Sequence, residues 1–242
     1  MGKASARSAV AAIAAAASML CVLPAAAGQL TVDPILLELP ENAPAGALNL
    51  RNDEDVPINV QTRVERWTEV DGVEKLEPAN DVVSSPPIVK LAPKTSYIVR
   101  VVRLSKTPIQ GEESYRVLVD QLPSAPAWQG STVKLLIRQS IPVFFRAQQI
   151  RPPDVAWSLS SRDGRLALTA TNSGDERLRI ASLRLEDATG REISFGNGLV
   201  GYVLGRSSIK WILPPHTASF GAARPVSLSA HTNKGDLTAL VR

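Results

Sequence analysis

The 242-residue chain carries one cysteine, two histidines, 18 prolines and 15 glycines, with a formal net charge of +4. That length holds one large or two modest domains. With 44% apolar and 21% charged residues, neither wholesale disorder nor collagen-like repetition fits.

Residues 1–27 read as an export signal. Lys3 and Arg7 precede an apolar run from Val10 to Leu23, which Pro24 closes before the small residues Ala25-Ala-Ala27. The run is shorter and richer in alanine than a membrane span, so no membrane insertion is expected of the mature chain. Removing the leader takes away Lys3 and Arg7 and leaves 25 basic against 23 acidic residues, a net charge of +2. That near-neutrality argues against a nucleic-acid partner. Cys21 leaves with the leader, so the domains must hold by core packing without disulfides.

Beyond the leader, strand-like alternation recurs between turn residues. Leu30–Leu39 ends at Pro40, and Ala47–Arg51 leads through Asn52-Asp-Glu-Asp55 into Ile58–Trp67. Tyr97–Leu104, Ser114–Asp120 and Val133–Phe145 follow the same pattern. Short strands with proline-rich connections predict an all-β chain built from sandwiches. No segment of the mature chain sustains a helical period. At an offset of 120, Leu48, Asn52, Asp55, Ile58 and Val60 fall on Leu168, Asn172, Asp175, Leu178 and Ile180. This echo fits two similar domains, 28–148 and 149–242, joined near the stiff Arg151-Pro-Pro153.

Catalytic chemistry finds little support. The mature chain has no thiol, and His216 and His231 sit in no zinc-type spacing. Gly196-Asn-Gly198-Leu-Val-Gly201 satisfies the dinucleotide pattern. That pattern needs a following helix and an acidic residue about 20 positions on, whereas Tyr202–Ile212 reads as strand, turn, strand. No cofactor, no metal and no enzymatic activity are expected. A secreted hydrolase on a β scaffold has little behind it.

The informative segment is Val133–Phe145. Val133, Leu135 and Ile137 point to one face, and Lys134, Leu136 and Arg138 to the other. Leu136 makes the second face partly apolar too, which is hazardous on a free edge unless another strand pairs with it. Strand addition would give that pairing backbone hydrogen bonds for affinity and alternate side chains for specificity.

Here the sequence resembles the periplasmic chaperones of the chaperone–usher pilus pathway, especially the archaic, Csu-like branch. The resemblance rests on Val32-Asp-Pro-Ile-Leu-Leu-Glu-Leu39, Leu50-Arg-Asn52, Val60-Gln-Thr-Arg-Val-Glu-Arg-Trp67, Ser85-Pro-Pro-Ile88 and Leu91-Ala-Pro93. Val99-Arg100, Glu113-Ser-Tyr-Arg-Val-Leu-Val-Asp-Gln-Leu-Pro123, Ser140-Ile-Pro-Val-Phe144 and Gly201-Tyr-Val-Leu204 continue it.

It implies two immunoglobulin-like sandwiches set at an angle around a cleft. The partners it implies are pilus subunits, which lack a strand, and an outer-membrane usher. Val133, Leu135 and Ile137 fall where the family's donor side chains sit. The two basic positions that anchor the subunit's terminal carboxylate in much of the family are Leu36 and Pro142 here. Because Tyr115, Val117 and Val119 read as core, Arg116 points the other way, toward the cleft. It is the first replacement candidate, and Arg100 the second. The family's interdomain ion network matches Glu113 and Arg146, with Asn233 at its third position. Self-association of the free chain, to cover its edge, is left open. A secreted structural or adhesive protein with immunoglobulin-like domains is the alternative reading, since fold alone does not fix function.

Overall fold

The computed structural model describes residues 30–123, 136–162, 165–213, 220 and 225–241. The leader at 1–27 and the donor candidates Val133 and Leu135 lie outside these residues. Every regular element described is a strand.

The first half of the chain forms β1 (Leu30–Asp33), β2 (Leu37–Pro40), β3 (Ala45–Asn52), β4 (Ile58–Val70), β5 (Val73–Pro78) and β6 (Val82–Ser85). They are followed by β7 (Ile88–Leu91), β8 (Ser96–Arg103), β9 (Glu112–Leu122) and β10 (Arg138–Arg146). One sheet runs β1-β3-β8-β6 and the other β2-β10-β9-β4-β5, with β7 also on β4. The two-residue period puts Leu48 and Leu50, Val99 and Val101, and Tyr115, Val117 and Val119 between the sheets, essentially without solvent exposure. The opening segment serves both sheets: β1 pairs antiparallel with β3, and β2 pairs parallel with β10.

A second sandwich follows. Its strands are β11 (Val155–Arg162), β12 (Arg165–Asn172), β13 (Leu178–Asp187), β14 (Glu192–Ser194), β15 (Leu199–Val203), β16 (Ser207–Ile212), β17 (Val226–Thr232) and β18 (Gly235–Val241). Sheets β11-β12-β16 and β14-β13-β17-β18, with β15 on β13, enclose a separate core around Leu168, Ile180, Leu183, Leu185 and Val226. The glycine triplet at 196–201 runs into strand β15, not into a helix, so the dinucleotide pattern has no helix N-terminus to offer.

The repeat at an offset of 120 is a repeated hydrogen-bonding device. Asn52 Nδ2 donates to the carbonyls of Val56, Leu91 and Ala92, and Asn172 Nδ2 to those of Glu176, Val203 and Leu204. Their Oδ1 atoms accept from the backbone N–H of Glu54 and of Gly174. Each buried asparagine ties the corner between two strands to a neighbouring strand's end. Gly174 lies so close to the connection between the domains that a Cβ there would overlap the Pro152 carbonyl.

Candidate binding site: an open strand edge beside an interdomain cleft

The β2-β10-β9-β4-β5 sheet turns its second face toward the C-terminal sandwich. On β9 the even positions take that face. The ladder sets Glu112 opposite Arg146, Ser114 opposite Phe144, Arg116 opposite Pro142 and Asp120 opposite Arg138. β4 brings Arg63, Glu65 and Trp67 to the same side. An Asp71-Gly72 turn with φ of 55° and 80° closes the β4–β5 hairpin, the geometry in which Asp-Gly matches the strand twist. The hairpin arm reaches the second domain, where the Lys210 N–H donates to the Gly72 carbonyl at 2.9 Å. An Asp-Gly pair between alternating strands is a strong turn signal, and it is the one that would have located this arm in the sequence.

A third apolar cluster joins the domains. Trp67 and Phe144 from the first pack on Tyr202 and Leu204 from the second, with Leu36 against them. Trp67 and Tyr202 meet edge to face at 5.3 Å between ring centroids. Behind these rings, Glu69 crosses the junction to accept hydrogen bonds from the Leu204 N–H and the Ser207 hydroxyl. Burial pushes the Glu69 carboxyl up to about 7; the two hydrogen bonds oppose that shift, and the nearby Glu74 adds to it.

Ion pairs complete the junction. Arg177, whose side chain is 2% exposed, meets Glu112, which is 1% exposed, and also Glu38. The Arg177 guanidinium lies 3.5 Å from the centroid of Phe144. Glu176 accepts from Arg146 at 2.9 Å and from Lys234 at 2.8 Å. Three carboxylates face three cations, as buried charge requires.

This corrects the expected network. Glu113 does not reach Arg146. It lies on the inner face of β9, where Arg103 donates to both of its oxygens at 2.8 Å. Strand alternation sends the adjacent Glu112 outward instead, directly across the ladder from Arg146. Asn233 meets no cation among the described residues; its Oδ1 accepts from the Arg179 N–H. Glu176 and Lys234 supply the charges at that end. Sequence reasoning missed Glu112, Glu176 and Arg177 because no local pattern tells which charges in surface-like segments will meet across a domain boundary.

Arg116 stands in the cleft. Its guanidinium lies 3.8 Å over the Trp67 ring and 6.0 Å from that of Tyr202. The side chain is 16% exposed, and burial lowers its pKa from the usual arginine value. Its nearest carboxylate is Glu74 on β5, at 3.7 Å. Pro142, at one family anchor position, is its cross-strand neighbour. Arg100 is elsewhere: it is exposed on β8 in the opposite sheet, paired in register with Ala47 and Ser85. The structure does not bring the two arginines together.

The strand edge lies beside this cleft. β2 covers β10 only from Val143 to Arg146, while β9 pairs with β10 from Arg138. Ile137 extends the ladder by one bond, its carbonyl accepting from the Gln121 N–H at 3.1 Å. Among the described residues, 138–142 therefore have a ladder partner on one side only, and Ile137 is half-buried at the head of that edge. Nearby, Arg63 and Arg138 both donate to Asp120. Burial opposes the Asp120 charge, but these hydrogen bonds outweigh it and hold the carboxyl below its usual range. Among the described residues, no group of three or more His, Cys, Asp or Glu could hold a metal ion.

The family profile described as pili and flagellar-assembly chaperone, PapD N-terminal domain, matches residues 29–151, just over half of the chain. The chain belongs to this chaperone family. Among solved structures, it is similar to a chain of the CsuC–CsuE chaperone–tip adhesion subunit pre-assembly complex from the archaic Csu pili of Acinetobacter baumannii. That match has 22% identity, covers 88% of this chain and 98% of the other, and has a TM-score of 0.69. The chaperone YadV matches with 16% identity over 88% and 99% of the two chains and a TM-score of 0.63. The Salmonella enterica SafA pilin–SafB chaperone complex matches with 17% identity over 88% and 97%, at a TM-score of 0.62. No curated protein sequence matches. The all-β, two-sandwich architecture and the membership in the pilus-chaperone family agree with what the residues and the resemblance implied.

Proposed function

We propose that this chain is a periplasmic chaperone that captures pilus subunits by lending them a strand and hands them to an outer-membrane usher. The carrying observation is the half-open β10. Its edge loses β2 before Val143 and runs back through Arg138 and Ile137 toward residues 133–135. On this reading a subunit lacking its last strand pairs along that edge, with Val133, Leu135 and Ile137 filling its exposed core. Each buried side chain contributes about 1.5–3 kcal/mol, so three together decide whether a subunit stays soluble.

Arg116 is the proposed anchor for the subunit's terminal carboxylate. It stands in the cleft opposite Pro142, its guanidinium stacked on Trp67, making no hydrogen bond to another described residue and with one carboxylate at 3.7 Å. Glu112 and Arg146, with Arg177 and Glu176, are structural on this reading. They hold the two domains, divided at 148/149, so that cleft and edge stay adjacent. Export on the leader at 1–27 places the protein in the same compartment as its subunits.

The test is co-expression with the products of the adjacent genes, followed by affinity pull-down. Leu135→Asp should abolish recovery of the soluble complex while the chaperone's own melting temperature stays within a few degrees. Arg116→Ala should weaken retention of the subunit in the same assay. Undiminished complex with Leu135→Asp would sink the strand-lending assignment.

A further inference from the structure

Glu74 has no assigned role so far, yet among the described residues its carboxylate is the one that forms an ion pair with the proposed anchor. It projects from β5, the outermost strand of its sheet, onto the cleft face, where it is the cross-strand neighbour of Glu69. Its carboxylate lies 3.7 Å from the Arg116 guanidinium. That separation is beyond hydrogen-bonding distance but close enough for an ion pair. The two partners are unequal: Arg116 is 16% exposed and pinned between aromatic rings, whereas Glu74 is 45% exposed on an edge strand whose every residue is exposed. One is fixed, and the other can leave into water at little cost.

We infer that Glu74 is a built-in competitor for Arg116: it neutralises the arginine in the free chain, and a partner's terminal carboxylate must displace it. This rests on the proposed carboxylate-anchoring role of Arg116 and deepens it.

The physical consequence is selectivity. A half-buried guanidinium without any counter-charge would capture free carboxylates and acidic peptides indiscriminately. With Glu74 in place, a lone carboxylate gains only the difference between two similar ion pairs. A carboxylate at the end of a chain already paired along β10 arrives at a high effective concentration and can win that exchange. Glu74 thus makes anchoring conditional on strand pairing.

The test uses the full mature chain and a probe too short to pair along β10, acetyl-Gly-Gly-Leu with a free carboxylate, alongside its C-terminal amide. Binding is read from the indole N–H resonance of Trp67, whose ring lies 3.8 Å under the Arg116 guanidinium and which every binding variant retains, in 1H–15N spectra assigned with Trp67→Phe. Glu74→Gln should bind the free acid roughly two- to fivefold more tightly than the native chain, the factor expected from an exposed ion pair. The amide should bind neither. Equal affinity in Glu74→Gln and native, with binding lost in the neutral Arg116→Gln, overturns the competitor role and leaves the anchor standing. Binding that survives the neutral Arg116→Gln overturns both, and so does failure of Glu74→Gln to bind the free acid at all.

Discussion

Glu69 is a carboxyl placed where charge is expensive, and its chemistry gives the domain junction a pH dependence. One oxygen accepts from the Leu204 N–H and Ser207, and the other is buried without a hydrogen-bond partner among the described residues. An ordinary glutamate titrates near pH ~4.3, whereas burial pushes Glu69 up to about 7. The folded chain therefore holds this proton more tightly than the unfolded chain does. Its contribution is fully present at pH below the unfolded value and falls as pH rises through about 7. Burial raises Glu112 as well, against the pull of Arg177 and Arg146, so some slope of the same sign remains without Glu69. Thermal unfolding should show the native chain losing stability between pH 4.5 and 7.5, in the window set by these two values. Glu69→Gln should flatten that decline. An unchanged slope in the variant would mean that Glu69 does not carry the proton. Strand alternation alone gave Arg116 its outward direction. The environment of Glu69 had no such signal, because it depends on Leu204 and Ser207, more than 130 residues away.

At the level of elements, each sandwich depends on one asparagine corner. Asn172 is 1% exposed, bonds three carbonyls and accepts from the Asp154 and Gly174 N–H groups. Each buried polar group left without a partner costs about 1–3 kcal/mol. Asn172→Ala should therefore lower stability by at least about 3 kcal/mol, read as a fall in urea midpoint at constant slope. A loss under about 1 kcal/mol would mean that water replaces the side chain. The elements themselves were legible: β3 and β4, and likewise β12 and β13, successive strands that lie in opposite sheets, follow from the alternation and from the repeat at offset 120. The open edge of β10 was half legible, because a strand apolar on both faces announces a missing neighbour. Where β2 stops covering it depends on the turn after Asp33, which carries the chain from one sheet to the other.

Across the whole molecule, the domain arrangement rests on a charge-balanced junction around the aromatic cluster. Arg177 and Glu112 are both buried, so removing Arg177 leaves the Glu112 carboxylate with only the more distant Arg146, at 3.7 Å. Arg177→Ala should cost about 3–5 kcal/mol, whereas the apolar pair Arg177→Met with Glu112→Leu should recover most of it. Urea unfolding of the three chains checks this, and equal losses in single and double variants would contradict it. Sequence by itself determined the strands, the inward and outward faces, the near-neutral charge and the family, because these follow from a local two-residue period and from short motifs. Only tertiary structure decided which charges meet. It moved the interdomain role from Glu113 to Glu112, brought in Arg177 and Glu176, set Glu74 beside Arg116 and left Arg100 on the far sheet. Those pairings depend on how two separately folded sandwiches dock, and docking is fixed by side chains far apart in the chain.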